Sequence, residues 1–149
     1  MADLEPSRLH AAALVTLATA QLVELGAALT VYLDQVPREP TYPYAVFWSS
    51  PAGPYASGER MAGWGQDVET VTQATVAGLT RLDVIGGVDR LARALHRRRP
   101  AIAGRTVGDV DLDGVPAAPA RDPVPTPDGQ EVWTTPVIFR FASSPVTNE

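Results

Sequence analysis

Tyr42-Pro43-Tyr44-Ala45-Val46-Phe47-Trp48 is the densest aromatic run in the chain. It returns across a glycine-rich loop through Gln66-Asp67-Val68-Glu69-Thr70-Val71-Thr72-Gln73-Ala74-Thr75-Val76. Both stretches read as β-strands, because β-branched and aromatic side chains suit a pleated, half-buried surface. In the first, Tyr44, Val46 and Trp48 share one face and Ala45 and Phe47 the other; two apolar faces predict a central strand. In the second, Val68, Thr70, Thr72, Ala74 and Val76 oppose Asp67, Glu69, Gln73 and Thr75. That alternation suits an antiparallel strand with one wet face.

The remaining elements are placed around this ribbon. A first helix is expected from the N-cap candidate Ser7, or from just after Pro6. Its stripe is Ala11, Leu14, Val15, Ala18, Leu22, Leu25 and Leu29, and it ends near Gly26 or one turn beyond. Thr30-Val31-Tyr32-Leu33 reads as a short strand, since Val31 and Tyr32 are poor helix formers and Pro37 closes the segment. Pro37, Pro40 and Pro43 make residues 37–43 an extended connector. A second helix is expected over residues 83–99, capped by Asp83, weakened in its first turn by Gly86 and Gly87, and stopped by Pro100. Its buried stripe is Val84, Ile85, Val88, Leu91, Ala92 and Leu95.

Residues 106–112 read as a short strand and 113–129 as a proline-rich loop. A last strand over 131–142 carries Trp133, Thr135, Val137, Phe139 and Phe141 on one face. Pro136 lacks a ladder donor, so this strand is expected at a sheet edge or kinked. The tail 143–149 is expected to fray. The fold class is therefore α+β: a small mixed or antiparallel sheet packed against two main helices, with long loops, in a single domain spanning residues 1–149.

At 149 residues the chain buries enough surface to fold without a disulfide or a metal. It has no cysteine, which excludes thiol redox chemistry, cysteine zinc sites and a disulfide framework. The net charge of −5 argues against general nucleic-acid binding, and all twelve basic residues are arginine. Residues 11–33 are apolar, but Thr16, Thr19, Gln21, Glu24 and Thr30 interrupt them as a membrane span. Asp3 and Glu5 against Arg8 are unlike a signal peptide, so a soluble protein made in the cytoplasm is expected.

Asp109-Val110-Asp111-Leu112-Asp113-Gly114 opens like a calcium loop, yet Ala120 stands where the bidentate glutamate belongs. Arg97-Arg98-Arg99 is the one basic cluster. It suits phosphate or an acidic partner, or simply the negative end of a helix dipole. The loop 50–65 carries Tyr55, Met61 and Trp64; such a length goes with binding or movement, or with Trp64 folding back onto the core. His10 and His96 lie on helices without a ligand pattern and are expected at the surface or its boundary. No nucleotide-binding, nucleophile-elbow or zinc-protease motif is present, so no catalytic, cofactor or metal residue is assigned and no enzyme is expected.

The order of these features resembles one family. An N-terminal helix is followed by an extended segment from Tyr32 to Pro37 and by Tyr42-Pro43-Tyr44-Ala45-Val46-Phe47. A polar strand ending in Val76-Ala77-Gly78 then leads to a helix with Val88-Asp89-Arg90-Leu91-Ala92-Arg93-Ala94-Leu95. Over residues 7–100 this is similar to the tail terminator (tail completion) proteins of long-tailed bacteriophages; the 113–129 insert and the final strand match loosely. The resemblance implies a non-enzymatic virion protein at the head–tail junction. It implies a ring, usually of six subunits, that stops growth of the tail tube and meets the head-completion proteins, with DNA passing through. The implied partners are further copies of the chain, the tail tube protein and the head-completion or connector protein, with no membrane and no sequence-specific nucleic acid. Candidate interface residues are Tyr55, Trp64, Arg97, Arg98, Arg99, Trp133, Phe139 and Phe141. Another head–tail joining (neck) protein, or a small ligand-binding or enzymatic α/β domain, stays open beside this reading.

Overall fold

The computed structural model describes residues 6–50, 53–54 and 67–146. Along the chain come α1 (Pro6–Glu24), β1 (Thr30–Leu33), β2 (Tyr44–Trp48), β3 (Gly53–Pro54), β4 (Val68–Gly78), α2 (Arg81–Leu95), β5 (Arg105–Val107), β6 (Asp111–Gly114), β7 (Ala120–Arg121) and β8 (Trp133–Pro145). All strands join one mixed sheet with the spine β1-β2-β4-β8-β5; β3 pairs with β4, and β6 and β7 pair with β8. The fold is α+β.

The two longest strands make the centre. Antiparallel β4 and β8 are in register from Val68↔Ser143 to Gly78↔Trp133. On one face this ladder aligns Thr70, Thr72, Ala74 and Val76 with Phe141, Phe139, Val137 and Thr135, all buried. β2 adds Ala45 and Phe47 to that face, as its central position requires, and α1 and α2 close over it. β1 runs parallel to β2, and the ten residues 34–43 carry the chain back between them. At the return, Asp34 adopts φ +58° and its carboxylate accepts from Ser49 N–H (2.6 Å) and Ser49 Oγ–H (2.5 Å), tying the exit of β1 to the exit of β2.

Five expectations change. First, β8 is an interior strand: β5, β6 and β7 share its outer side. Pro136 is tolerated because it lies between the stretch paired with β6 and the stretch paired with β7. Second, residues 143–145 continue the strand, and Ser143 is buried. Third, the segment expected as one strand over 106–112 splits into β5 and β6, with buried Val110 between them. Fourth, the proline-rich stretch is not wholly loop, since it supplies β7 and the end of β6. Fifth, α2 begins at Arg81 with Thr80 as its cap, whose hydroxyl accepts from Asp83 N–H at 3.1 Å. It ends at Leu95, because Arg97 turns left-handed (φ +61°) and its N–H donates to Val110 O at 2.7 Å.

α1 ends as Gly26 suggests. Gly26 has φ +65°, Ala27 N–H donates to Leu22 O and Gly26 N–H to Val23 O, which satisfies two terminal carbonyls. The two glycines of α2 behave differently from each other. A Cβ on Gly86 would meet only the Arg90 guanidinium at 3.6 Å, whereas a Cβ on Gly87 would lie 2.8 Å from Val76 Cγ1. Gly87 is therefore the point of closest helix–sheet approach, not a frayed turn.

That contrast is testable by urea denaturation. Gly86→Ala is expected to stabilise by about 0.5–1 kcal/mol through helix propensity. Gly87→Ala is expected to destabilise by about 1–3 kcal/mol, because buried Val76 must move. Equal effects at the two positions would contradict the packing described.

Candidate functional site

The densest buried polar chemistry joins α1 to the far ends of β4, β8 and β5. His10, Thr70, Ser143 and Arg105 are all buried. His10 Nε2 lies 2.7 Å from Ser143 Oγ, and His10 Nδ1 is hydrogen-bonded with Thr70 Oγ1. Arg105 Nε–H donates to Ser143 Oγ at 2.7 Å, and a second guanidinium nitrogen donates to Ser143 O at 3.1 Å. Ser143 Oγ has one proton and two lone pairs, so it can accept from arginine and also donate its proton to Nε2. With that orientation, Nδ1–H donates to Thr70 Oγ1. The opposite neutral tautomer, with Nε2–H donating to Ser143 and Thr70 donating to Nδ1, satisfies the same contacts. The imidazole also stacks on Phe141 with centroids 4.3 Å apart.

A serine hydroxyl beside an imidazole is also the spacing of a nucleophile and its base. Here both groups are closed to solvent. Burial and the nearby Arg105 charge hold the His10 pKa down to about 4, which makes it a weak base at neutral pH. The cluster acts as a polar clamp between the first turns of α1 and the sheet. Sequence reading put His10 at the surface or its boundary. The missed signal was its spacing: His10, Leu14, Ala18 and Leu22 follow in steps of four, so His10 starts the buried stripe.

The sequence's other candidates are dispersed. The carboxylates of the calcium-like run face arginines: Asp109 meets Arg99 at 3.3 Å and Asp113 meets Arg140 at 3.0 Å. Ala120 belongs to β7, and among the described residues no cluster of three or more His, Asp or Glu is arranged to hold a metal. In the arginine triplet, Arg98 Nε–H donates to Arg93 O at 3.3 Å, near the end of α2, as its dipole favours. Arg97 and Arg99 stay exposed. His96 Nδ1 accepts from Leu112 N–H at 3.1 Å. Phe139 and Phe141 lie inside the core, and Trp133 is half-buried with the Arg121 guanidinium 5.7 Å from its ring centre. Those three were expected to offer an edge-strand surface; instead their strand is interior and its aromatic face lies under the helices. Tyr55 and Trp64 fall outside the described residues.

Among the described residues, no helix lies on the opposite face of the sheet. Trp48, Gln73 and Ile138 form one cross-strand row there, and Val71, Arg140 and Asp111 the next. Trp48 Nε1–H donates to Thr75 Oγ1 at 3.0 Å, so the indole lies across the sheet. Towards the other end, Tyr44 packs between Tyr32 and Tyr42. Burial, with the neighbouring tyrosines and Asp122, pushes the Tyr44 pKa up to about 12, so Tyr44 stays uncharged at neutral pH.

No family model matches the chain, and no curated protein matches it in sequence. Among solved structures, a chain from the virion of a native gene transfer agent (GTA) particle shares the fold. It superposes with a TM-score of 0.51 over 83% of this chain and 84% of its own length, at 12% sequence identity. Among the described residues no helix is long and apolar enough to cross a membrane.

The His10 clamp makes stability depend on pH. Its folded-state pKa of about 4 lies below the ordinary value of 6.5, so the unfolded chain takes up a proton first as pH falls. The clamp's contribution is complete above pH 6.5 and is lost as pH falls towards 4, by about 3 kcal/mol in all. Denaturation midpoints for the native protein and His10→Gln at several pH values check this. A drop between pH 6.5 and 5 that His10→Gln reduces is expected; an identical pH profile for both proteins would contradict the assignment.

Proposed function

We propose that this chain is a structural virion protein of the tail-terminator type. In this reading it forms a ring on the head-proximal end of a phage tail tube, stops the tube growing and presents a surface to the head-completion protein. The observation that carries the reading is the fold shared with a chain built into a virion, along most of both chains. The element order resembling tail terminators lies within that same fold and supports the finer role. The buried polar chemistry agrees with structural work: the His10–Ser143 contact is closed to solvent, and His10, Thr70, Ser143 and Arg105 are hydrogen-bonded into one cluster.

A ring needs a heterologous interface, in which one patch of each subunit meets a different patch of the next and the rotation closes. Specific interfaces bury about 1,200–2,000 Å² in total, so each patch must involve many residues. The sheet face without helices and the exposed side of the helical layer are the two large surfaces for such contacts. Tyr55 and Trp64, from the loop beyond β3, and the exposed Arg97 and Arg99 remain candidates to join them.

The test is a tube-growth assay. Purified tail tube protein from the same phage is polymerised with and without this chain, and tube lengths are measured by negative-stain microscopy. Short tubes capped at one end, competent for head joining, are expected. Unchanged lengths with binding to the head connector instead would favour a neck protein, and binding to neither would overturn the virion reading.

A further inference from the structure

Among the described residues, two surfaces of the fold lack a covering layer, and they differ in charge. On the sheet, Trp48 (38% exposed), Val71 (42% exposed) and Ile138 border a hollow of about 380 Å³. Next to it, Glu69 and Asp113 both reach Arg140, at 3.6 and 3.0 Å, and Asp111 is in register with the same arginine. Three carboxylates around one guanidinium leave this part of the face negative. It is an apolar patch beside an acidic one.

The flank of α1 has the converse pattern. α1 carries no charged residue between Arg8 and Glu24, and Val23 is 77% exposed. Thr16, Thr19 and Gln21 interrupt its outer side, yet Ala20 and Val23 are exposed there, an apolar surface suited to a partner. Leu9, Thr16, Leu17 and Ala20 line one wall of a groove of about 390 Å³, with Ile102 on the other wall and Arg99 at its margin. Exposed Arg97 lies two residues before Arg99, which is ion-paired with its own Asp109 at 3.3 Å, so two arginines and one carboxylate leave a single net positive charge here. It is an apolar patch beside a basic one, on the helical side of the molecule.

We propose that the α1–Arg99 flank of one copy packs on the Trp48–Val71–Ile138 face of the next. The inference rests on the ring reading and gives the ring its interface. Opposite charges bring Arg97 and Arg99 towards Asp111, Asp113 and Glu69, and α1 supplies the helical layer that the neighbour's open sheet face lacks. Because the two patches are different and lie on opposite sides of the subunit, each copy still offers one of each after docking. The contact therefore propagates from copy to copy instead of closing as a pair, and makes a ring where the rotation closes.

Cross-linking tests this directly, because the chain has no cysteine of its own. Thr16→Cys and Gln73→Cys, both at exposed positions, are made in separate chains. Each is checked by thermal melting, and the two are mixed under assembling conditions with a short bis-maleimide. The expected product joins Cys at 16 to Cys at 73, with little like-to-like product. Arg99→Glu is expected to weaken self-association about tenfold at low salt, with recovery on adding Asp111→Arg, and the difference is expected to fade as salt is raised. Rings that form without the mixed product overturn this interface and leave the ring reading standing. Like-to-like products, or products joining either position only to the tube protein, also overturn it. Chains that assemble neither alone nor on tube ends overturn both.

Discussion

The register of β4 against β8 is the constraint on which the rest of the structure depends. Because side chains alternate along a strand, that register places Thr70, Thr72, Ala74, Val76, Val137, Phe139 and Phe141 on one face together. A slip by one residue would turn this whole set away from the helices. Everything else attaches to the pair. β2 and β1 extend it beyond β4; β5, β6 and β7 share the outer side of β8; the helices rest on its aromatic face. Close approach at Gly87 and at Gly78, where a Cβ would lie 2.9 Å from Asp83 Cβ, sets how α2 lies on the ladder.

One end of the ladder is apolar under α2, and the other is polar under the start of α1. There Thr70 and Ser143 sit at or next to the last paired positions and hold His10 from both sides. A neutral histidine between two hydroxyls satisfies groups that would otherwise be costly to bury. The same arrangement explains why residues 143–146 stay with the sheet: Ser143 is held through His10 and Arg105, and Val146 N–H reaches Gly104 O at 3.1 Å.

Much of this was legible in the sequence, and the failures share a cause. The aromatic strand, the polar strand, the short strand after α1 and, in α2, the buried Val84, Leu91 and Leu95 follow from local periodicity, which depends only on neighbouring residues; Ile85, expected in that stripe, is exposed. The errors concern long-range partners. Pro136 suggested an edge because the gap between β6 and β7 on its outer side is invisible locally. Ser143 was assigned to a frayed tail because its partners are 133 and 38 residues away. α2 was extended to Arg99 because the partner that unwinds it, Val110, belongs to a later segment. Phe139 and Phe141 had the right alternation, but which face would meet the helices was not written in their own strand. The Asp109–Asp113 and Arg97–Arg99 runs illustrate the same limit, since in the fold several of their charges face each other or Arg140.

The functional account turns on whether a subunit with a covered sheet face and an open one is a building block of a ring. What is shared with a virion chain is the fold; the structural role is the proposal, and the apolar-acidic and apolar-basic surfaces are its proposed means of assembly. Electron cryo-microscopy of the head-proximal end of intact tails tests this most directly. The account predicts a closed ring of this chain on the last tube layer, with each α1 against the next subunit's Trp48 face. Density for the chain elsewhere in the particle, or no density for it at the tube end, would contradict it.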